Sequence, residues 1–376
     1  MTDTEKLLCE LIALPSVNPA FLPAHDRRAG EGQVADFLAA TAAQAGLDVD
    51  LQSALPGRAN VIATLRPTGK ATQRVLLAPH LDTVPGISDA QYVPRLTRSR
   101  ICGRGACDTK GSVAAMLAAL LQAAGHGPRP AETEIVFAGL VDEEHGQAGA
   151  RALAASGLKA DLAIVGEPTR LKIVTAHKGS LWLCLETRGK AAHGSRPELG
   201  RNAVHEMARV VCLLETVYAE RLRRRRHPIL GHATVNVGAI AGGTQPNIVP
   251  DACRIRVDRR TLPGETGRSV RAELLWLFRA HQLRVKVAEE KPSACLPMET
   301  DARLPLVRRF FLAAGQKKEA GVDYFCDASV LAAGGIPSVV FGPGDIAQAH
   351  TADEWIARGS LESATRLLAR FLRSLP

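Results

Sequence analysis

The chain's 376 residues are too many for one ordinary core and suit two domains. A hydrophobic fraction of 46% and a charged fraction of 23% exclude disordered and fibrous classes. The charge balance of 47 − 38 = +9 admits a polyanionic partner, but at 4% aromatics the stacking platforms for single-stranded nucleic acid are scarce.

From the N-terminus, Leu7, Leu8, Leu11 and Ile12 form the apolar stripe of a helix that ends before Pro15. A second helix over 32–46 carries Val34, Phe37, Leu38 and Ala42 on one face. Short strands follow at 61–65 and 75–78, the second apolar enough to be central. An Ala/Leu/Met-rich helix at 112–124 ends at Gly125, a strand spans 134–141, a helix 148–155 and an apolar strand 162–165. Strands alternating with helices imply a mostly parallel sheet covered on both faces. From about Lys178 the pattern changes. A strand at 181–187 alternates like one with a wet face, then come a helix over 202–221, strands at 234–240 and 252–257, a helix over 266–281 and a strand at 283–287. That succession is the ferredoxin-like β-α-β-β-α-β unit. After about Pro292 the first pattern returns, with helices at 304–314, 328–333 and 361–375 and a strand at 338–341. The simplest architecture is an α/β domain of residues 1–176 and 291–376, interrupted by a small α+β insertion of residues 177–290.

No 18 apolar residues run together, so no membrane-spanning helix is expected. Asp3, Glu5 and Glu10 argue against a signal peptide. The eight cysteines are scattered with no C-x-x-C pair, which reads as reduced thiols in a cytoplasmic protein. The basic run Arg223-Arg224-Arg225-Arg226 closes a helical pattern and reads as a solvated helix end; nucleic-acid contact is the competing reading, from a different functional class.

Five short segments carry candidate chemistry, and four lie just past predicted strands, where open α/β sheets bind their ligands. They are Pro79-His80-Leu81-Asp82-Thr83, Gly103 to Gly111 around Asp108, Asp142-Glu143-Glu144-His145-Gly146, Gly166-Glu167-Pro168-Thr169, and Gly342-Pro343-Gly344 running on to His350. Each alone has a plainer reading: Asp108 as a helix cap, Glu143, Glu144 and Glu167 as loop acids, His350 as a hydrogen-bonded structural histidine. Together, two His, one Asp and two Glu make a mixed nitrogen and oxygen set that suits Zn²⁺ or a similar ion. The set is large enough for two ions sharing a carboxylate, and the doublet Glu143-Glu144 offers one ligand and one base to take a proton from water. Asp82, two residues from His80, could orient its ring.

These motifs, from Ser16-Val17-Asn18-Pro19 to Ala349-His350-Thr351-Ala352-Asp353-Glu354-Trp355, resemble those of the M20 family of co-catalytic zinc amidohydrolases and peptidases. The one departure is Ala78 and Pro79 before His80, where the family usually has a Gly. The resemblance implies a zinc-exopeptidase-like catalytic domain with a ferredoxin-like dimerisation, or lid, insertion. It implies two Zn²⁺ per subunit, with Co²⁺ able to substitute. His80 and Glu167 would hold one ion, Glu144 and His350 the other, and Asp108 would bridge. Glu143 would be the general acid/base and Asp82 the orienter of His80. His193 in Ala192-His193-Gly194-Ser195, at the end of the insertion's first strand, would reach a neighbouring subunit's active site and hydrogen-bond the oxyanion. Arg260 of Asp258-Arg259-Arg260-Thr261-Leu262-Pro263-Gly264 would clamp the substrate carboxylate, with Asn247 nearby. The implied activity is cleavage of the amide of an N-acyl amino acid by a homodimer. Segments such as Val165-Gly166-Glu167-Pro168-Thr169 and His177-Lys178-Gly179 look most like the acetylornithine deacetylases of the family. A dipeptidase, a carboxypeptidase or a succinyl-diaminopimelate desuccinylase are the alternatives within it.

Overall fold

The computed structural model describes residues 1–125, 129–290 and 295–376. Two compact units are present: Met1–Thr175, Thr300–Ala320 and Cys326–Pro376 form the first, and Ala176–Glu299 with Gly321–Phe325 the second. The expected boundary at 290/291 adjoins residues 291–294, which lie outside the described ones.

In the first unit, six strands lie side by side in the order Asp48–Leu55, Arg58–Leu65, Thr133–Gly139, Gln73–Pro79, Leu162–Gly166 and Ser338–Val340. The last four are parallel to one another, and the first two form an antiparallel hairpin joined to their edge. In the strand Gln73–Pro79, Val75, Leu76, Leu77 and Ala78 are all fully buried. Val75 and Leu77 join Ile135, Phe137, Leu162 and Ile164 in one core, and the residues between them point to the opposite face. Burial on both faces explains the unbroken apolar run in the sequence. The Ala-rich helix Lys110–Gly125 packs closely against Asp3–Ala13 and Arg358–Arg373. Arg358–Arg373 turns Leu361, Ala364, Leu368 and Phe371 inward and Arg366, Arg370 and Arg373 outward.

The strand Asp48–Leu55 has no counterpart among the expected elements. It is an edge strand with a wet face, and Leu51 on it is exposed, so its apolar signal is weak. Four parallel strands end at the loops that carry candidate site residues: His80 follows one, Asp142 to Glu144 another, Glu167 a third and Gly342 the fourth.

The second unit has four antiparallel strands in the order Thr234–Gly242, Ala252–Thr261, Gly179–Arg188 and Val285–Glu289. With the helices Ala203–Leu213 and Gly267–Ala280, chain order is β-α-β-β-α-β, the ferredoxin-like arrangement. Asn202 caps the first helix through the N–H groups of Val204 and His205, and Thr266 caps the second with Ser269. The first helix continues through a π turn, Leu214–Tyr218, to a last segment, Ala219–Arg224. Its basic end is ion-paired: Arg223 and Arg224 meet Glu220, and Arg225 meets Glu273. The first strand ends at Arg188, so His193 lies in the loop beyond it, where it bridges Ile248. Among the described residues no helix is long and apolar enough to cross a membrane.

Candidate active site

His80 directly follows the central strand, with its side chain 2% exposed. Its Nδ1 faces the backbone oxygen of Asp82 at 3.0 Å. A carbonyl can only accept, so Nδ1 donates to it and Nε2 is the ring nitrogen left to face the carboxylates. Nε2 points at acids: Asp108 Oδ1 at 3.2 Å and Glu167 Oε1 at 3.8 Å. On the other side of Asp108, Oδ2 is 3.3 Å from His350 Nε2, which is 3.1 Å from Glu144 Oε2. Two groups of donors that could hold a metal ion result, His80 with Asp108 and Glu167, and Asp108 with Glu144 and His350. Donor atoms in each lie within 4.8 Å of one another, and Asp108 belongs to both. Glu143 belongs to neither.

The electrostatics are those of an acid-rich site. Burial first, and then the Glu167 carboxylate, pushes the Glu143 carboxyl well above the usual range. Burial, with Asp108 adding, pushes Glu144 up to about 7. Burial likewise raises Glu167. The Asp108 and Glu144 carboxylates lift His350 to about 10. Burial works against ionisation of Asp108, but His350 and His80 together hold its carboxyl below the usual range. Glu144 Oε1 is buried with no hydrogen-bond partner among the described residues. Two imidazole nitrogens facing Asp108, Glu144 and Glu167, with one carboxylate oxygen to spare, are a donor set that divalent cations fit.

Both donor groups are carried on loops that other residues hold in shape. The Asp82 carboxylate accepts from the backbone N–H groups of Glu143 at 3.0 Å and Glu144 at 3.1 Å. Its Oδ1 is 3.5 Å from His80 Nδ1, so the ring contact expected of it is made more closely by its own backbone oxygen. Glu354 accepts from the N–H groups of Gly105, Cys107 and Asp108 at 2.8–2.9 Å and from Arg104 Nη1 at 2.8 Å. Arg104 also donates to the Thr351 carbonyl, which ties the Asp108 loop to the His350 loop. Gly342 allows its loop to close on Glu167, since a Cβ there would lie 2.5 Å from the Glu167 carbonyl oxygen.

Arg58 carries no motif signal of its own, and Arg104 and Glu354 lie in the Asp108 and His350 motifs without an assigned role. Asp327 is a further acid that sequence reasoning misses. It is 1% exposed, and burial pushes it up to about 7 although the Gln147 side chain beside it works the other way. A lone acid before the helix Ala328–Ala333 reads as an ordinary cap.

The remaining expected site residues belong to the second unit. Gly194 N–H donates to the Asn247 carbonyl at 2.7 Å, so the His193 and Asn247 loops lie together. His193 is exposed, with Nδ1 2.7 Å from Ser195 Oγ. Arg260 is 31% exposed and donates to Asp258 at 3.0 Å. Its neighbour Arg259 is fully buried against Tyr218 and Glu265 and is committed to that unit's core.

Residues 76–374 match the peptidase family M20/M25/M40. The chain is 34% identical over 350 residues to an acetylornithine deacetylase of Myxococcus xanthus, spanning 89% of this chain and 90% of the relative. It is 31% identical over 356 residues to an N-acetyl-L-citrulline deacetylase of Xanthomonas campestris, spanning 92% of each. The fold matches the crystal structure of aminopeptidase PepT from Bacillus cereus with a TM-score of 0.78 at 23% identity, covering 98% of this chain and 97% of that one. With most of the chain matched, as the motif order implies, the protein belongs to the peptidase family M20/M25/M40 and is an amide-bond hydrolase.

Proposed function

We propose that the protein is a metal-dependent deacylase that splits the amide of N-acyl amino acids, with N-acetylornithine-type substrates preferred. One observation carries this reading: two donor groups share Asp108, and a half-buried acid, Glu143, stands outside both. His80, Asp108 and Glu167 would hold one divalent ion, and Asp108, Glu144 and His350 a second. The mixed nitrogen and oxygen donors suit zinc, with cobalt as a working substitute. Bound ions would polarise the scissile carbonyl and bring the acidity of water near neutrality.

The chain's own residues do the rest. Glu143 takes a proton from the attacking water and returns it to the leaving nitrogen. Asp82 fixes the Glu143 and Glu144 backbone. Arg260 grips the free carboxylate of the amino acid through two parallel hydrogen bonds, with Asn247 beside it. His193 hydrogen-bonds the developing oxyanion, from a partner subunit joined through the second unit. The first unit is thus the catalytic domain and the second the dimerisation, or lid, domain. Cys9, Cys102, Cys107, Cys184, Cys212, Cys253 and Cys326 are free thiols, which supports a reducing, cytoplasmic setting.

The acetylornithine and N-acetylcitrulline deacetylases among its relatives support acyl amino acids as the substrate class. A panel of N-acetyl and N-succinyl amino acids and dipeptides, assayed with Zn²⁺ and with Co²⁺, tests the proposal. Acetate release from N-acetylornithine that stops on chelation is the expected result. Cleavage of dipeptides alone would move the enzyme to the peptidases of the family, and metal-independent turnover would end the reading.

A further inference from the structure

Behind the Glu143-Glu144 turn lie three buried carboxylates, on Glu31, Asp82 and Asp142, each no more than 4% exposed. Acids this deep need partners. Arg58, at the start of the strand Arg58–Leu65, reaches two of them. Its Nε and Nη2 donate to the two oxygens of Glu31 at 2.8 and 2.5 Å, and Nη1 donates to Asp142 Oδ1 at 3.0 Å. Glu31 Oε1 also accepts from the Asp142 N–H at 3.1 Å. Asn18 Nδ2 joins Asp142 Oδ1, at 3.0 Å, to Asp82 Oδ2, at 2.7 Å. Asp82 then accepts the N–H groups of Glu143 and Glu144. Asp142 itself sits at φ +71°, a left-handed conformation that costs a non-glycine residue and is held here from both ends.

The chain of contacts therefore begins at one guanidinium and ends at the backbone of the doublet. We propose that Arg58 is a positioning residue for the hydrolytic reaction, setting through Glu31, Asp142, Asn18 and Asp82 where Glu143 and Glu144 stand. The inference rests on the proposed roles of those two acids. A planar fork suits the task, since it serves the two Glu31 oxygens and Asp142 at once, which a lysine point charge cannot do.

A bare Arg58→Ala chain would leave two buried carboxylates without a counter-charge and confuse misfolding with mispositioning. The double variant Arg58→Met, Glu31→Leu removes the Arg58–Glu31 pair together, an exchange that buried pairs often tolerate in stability, and leaves Asp142 the Asn18 amide and the Ala148 N–H as partners. The expected outcome is an unfolding midpoint close to that of the unaltered chain, kcat lowered roughly 10- to 100-fold and KM changed less than about threefold, as befits a displaced catalytic group. Amide exchange read on the metal-free protein should quicken at Glu143 and Glu144. A folded double variant with unchanged kcat, or with unchanged exchange at those two amides, overturns the proposal. If the double variant does not fold, Arg58→Lys decides, because it retains the buried charge: a kcat at least threefold lower at constant KM supports positioning, and full activity refutes it. Should the unaltered chain hydrolyse no N-acyl amino acid, the activity reading fails on its own, and amide exchange still tests the network.

Discussion

Glu143 and Glu144 are neighbours on one turn, yet only Glu144 meets a histidine, at 3.1 Å from His350. Glu143 is half-buried and, among the described residues, makes no ion pair with an imidazole, which suits it to the proposed proton shuttle. Replacing Glu143 with Gln keeps the shape and removes the proton acceptor. We expect kcat to fall by about 10²–10⁴ with metal content unchanged, the usual worth of a general base. Glu144→Gln should instead lower the bound metal measured by elemental analysis, and the reverse pattern would exchange the two roles. Arg260 calls for a different measurement, because its proposed partner is the substrate's free carboxylate. Arg260→Ala should cost about 2–4 kcal/mol in kcat/KM on an N-acyl amino acid, a charged hydrogen bond or two plus an unpaired carboxylate. Arg260→Lys should already weaken activity. On an N-acyl amine without the carboxylate the losses should nearly vanish; equal losses on both would make Arg260 a support of its own unit.

Loops become a site only when something holds them, and here the holders come from far along the chain. Glu354 accepts three backbone N–H groups of the loop bearing Asp108 and sits four residues beyond His350. Glu354→Gln turns one acceptor oxygen into a donor that faces other donors. We expect a loss of about 2–4 kcal/mol in urea unfolding, with weaker metal retention, from buried N–H groups left unpaired. A pH-dependent contribution comes from the strand Val174–His177. Burial holds His177 down to about 4, and its Nε2 has no partner. The unfolded chain takes up that proton near pH 6.5 and the folded chain near 4, so the contribution is complete above pH 6.5 and is lost as the pH falls towards 4. The loss amounts to about 3 kcal/mol, and His177→Phe should flatten the stability profile over that window alone. The same contrast between local and distant causes explains what the sequence discloses. Strands such as Gln73–Pro79 are legible because both faces are buried, and candidate metal donors such as His80 and Glu167 because they follow such strands. Asp48–Leu55 is not, since one of its faces is wet. Arg58, Glu31 and Asp327 are not, since their roles arise from contacts made only when distant segments fold together.

At the scale of the whole molecule, the change from unbroken apolar runs to alternating strands marks two kinds of sheet. The parallel sheet of the first unit is covered on both faces; the antiparallel sheet of the second has its helices against one. That second sheet has an edge strand, Thr234–Gly242, paired among the described residues only to Ala252–Thr261, with Ile240 on it 61% exposed. An open edge of this kind is a template for a second copy, and a two-fold axis would make the contact mutual. His193 lies on the same unit, exposed, in the loop that touches the Asn247 segment. If each subunit lends His193 to its partner, two inactive chains can complement one another. A His193→Ala chain keeps its own metal donors and Glu143; a Glu143→Gln chain keeps a sound His193. Mixed into heterodimers, one of the two active sites would then hold every required group. We expect purified heterodimers to regain up to about half the specific activity of the unaltered dimer, while each homodimer stays inactive. Tagged chains captured in sequence give the heterodimer free of both parents. Heterodimers as inactive as their parents would mean that His193 serves its own chain or none.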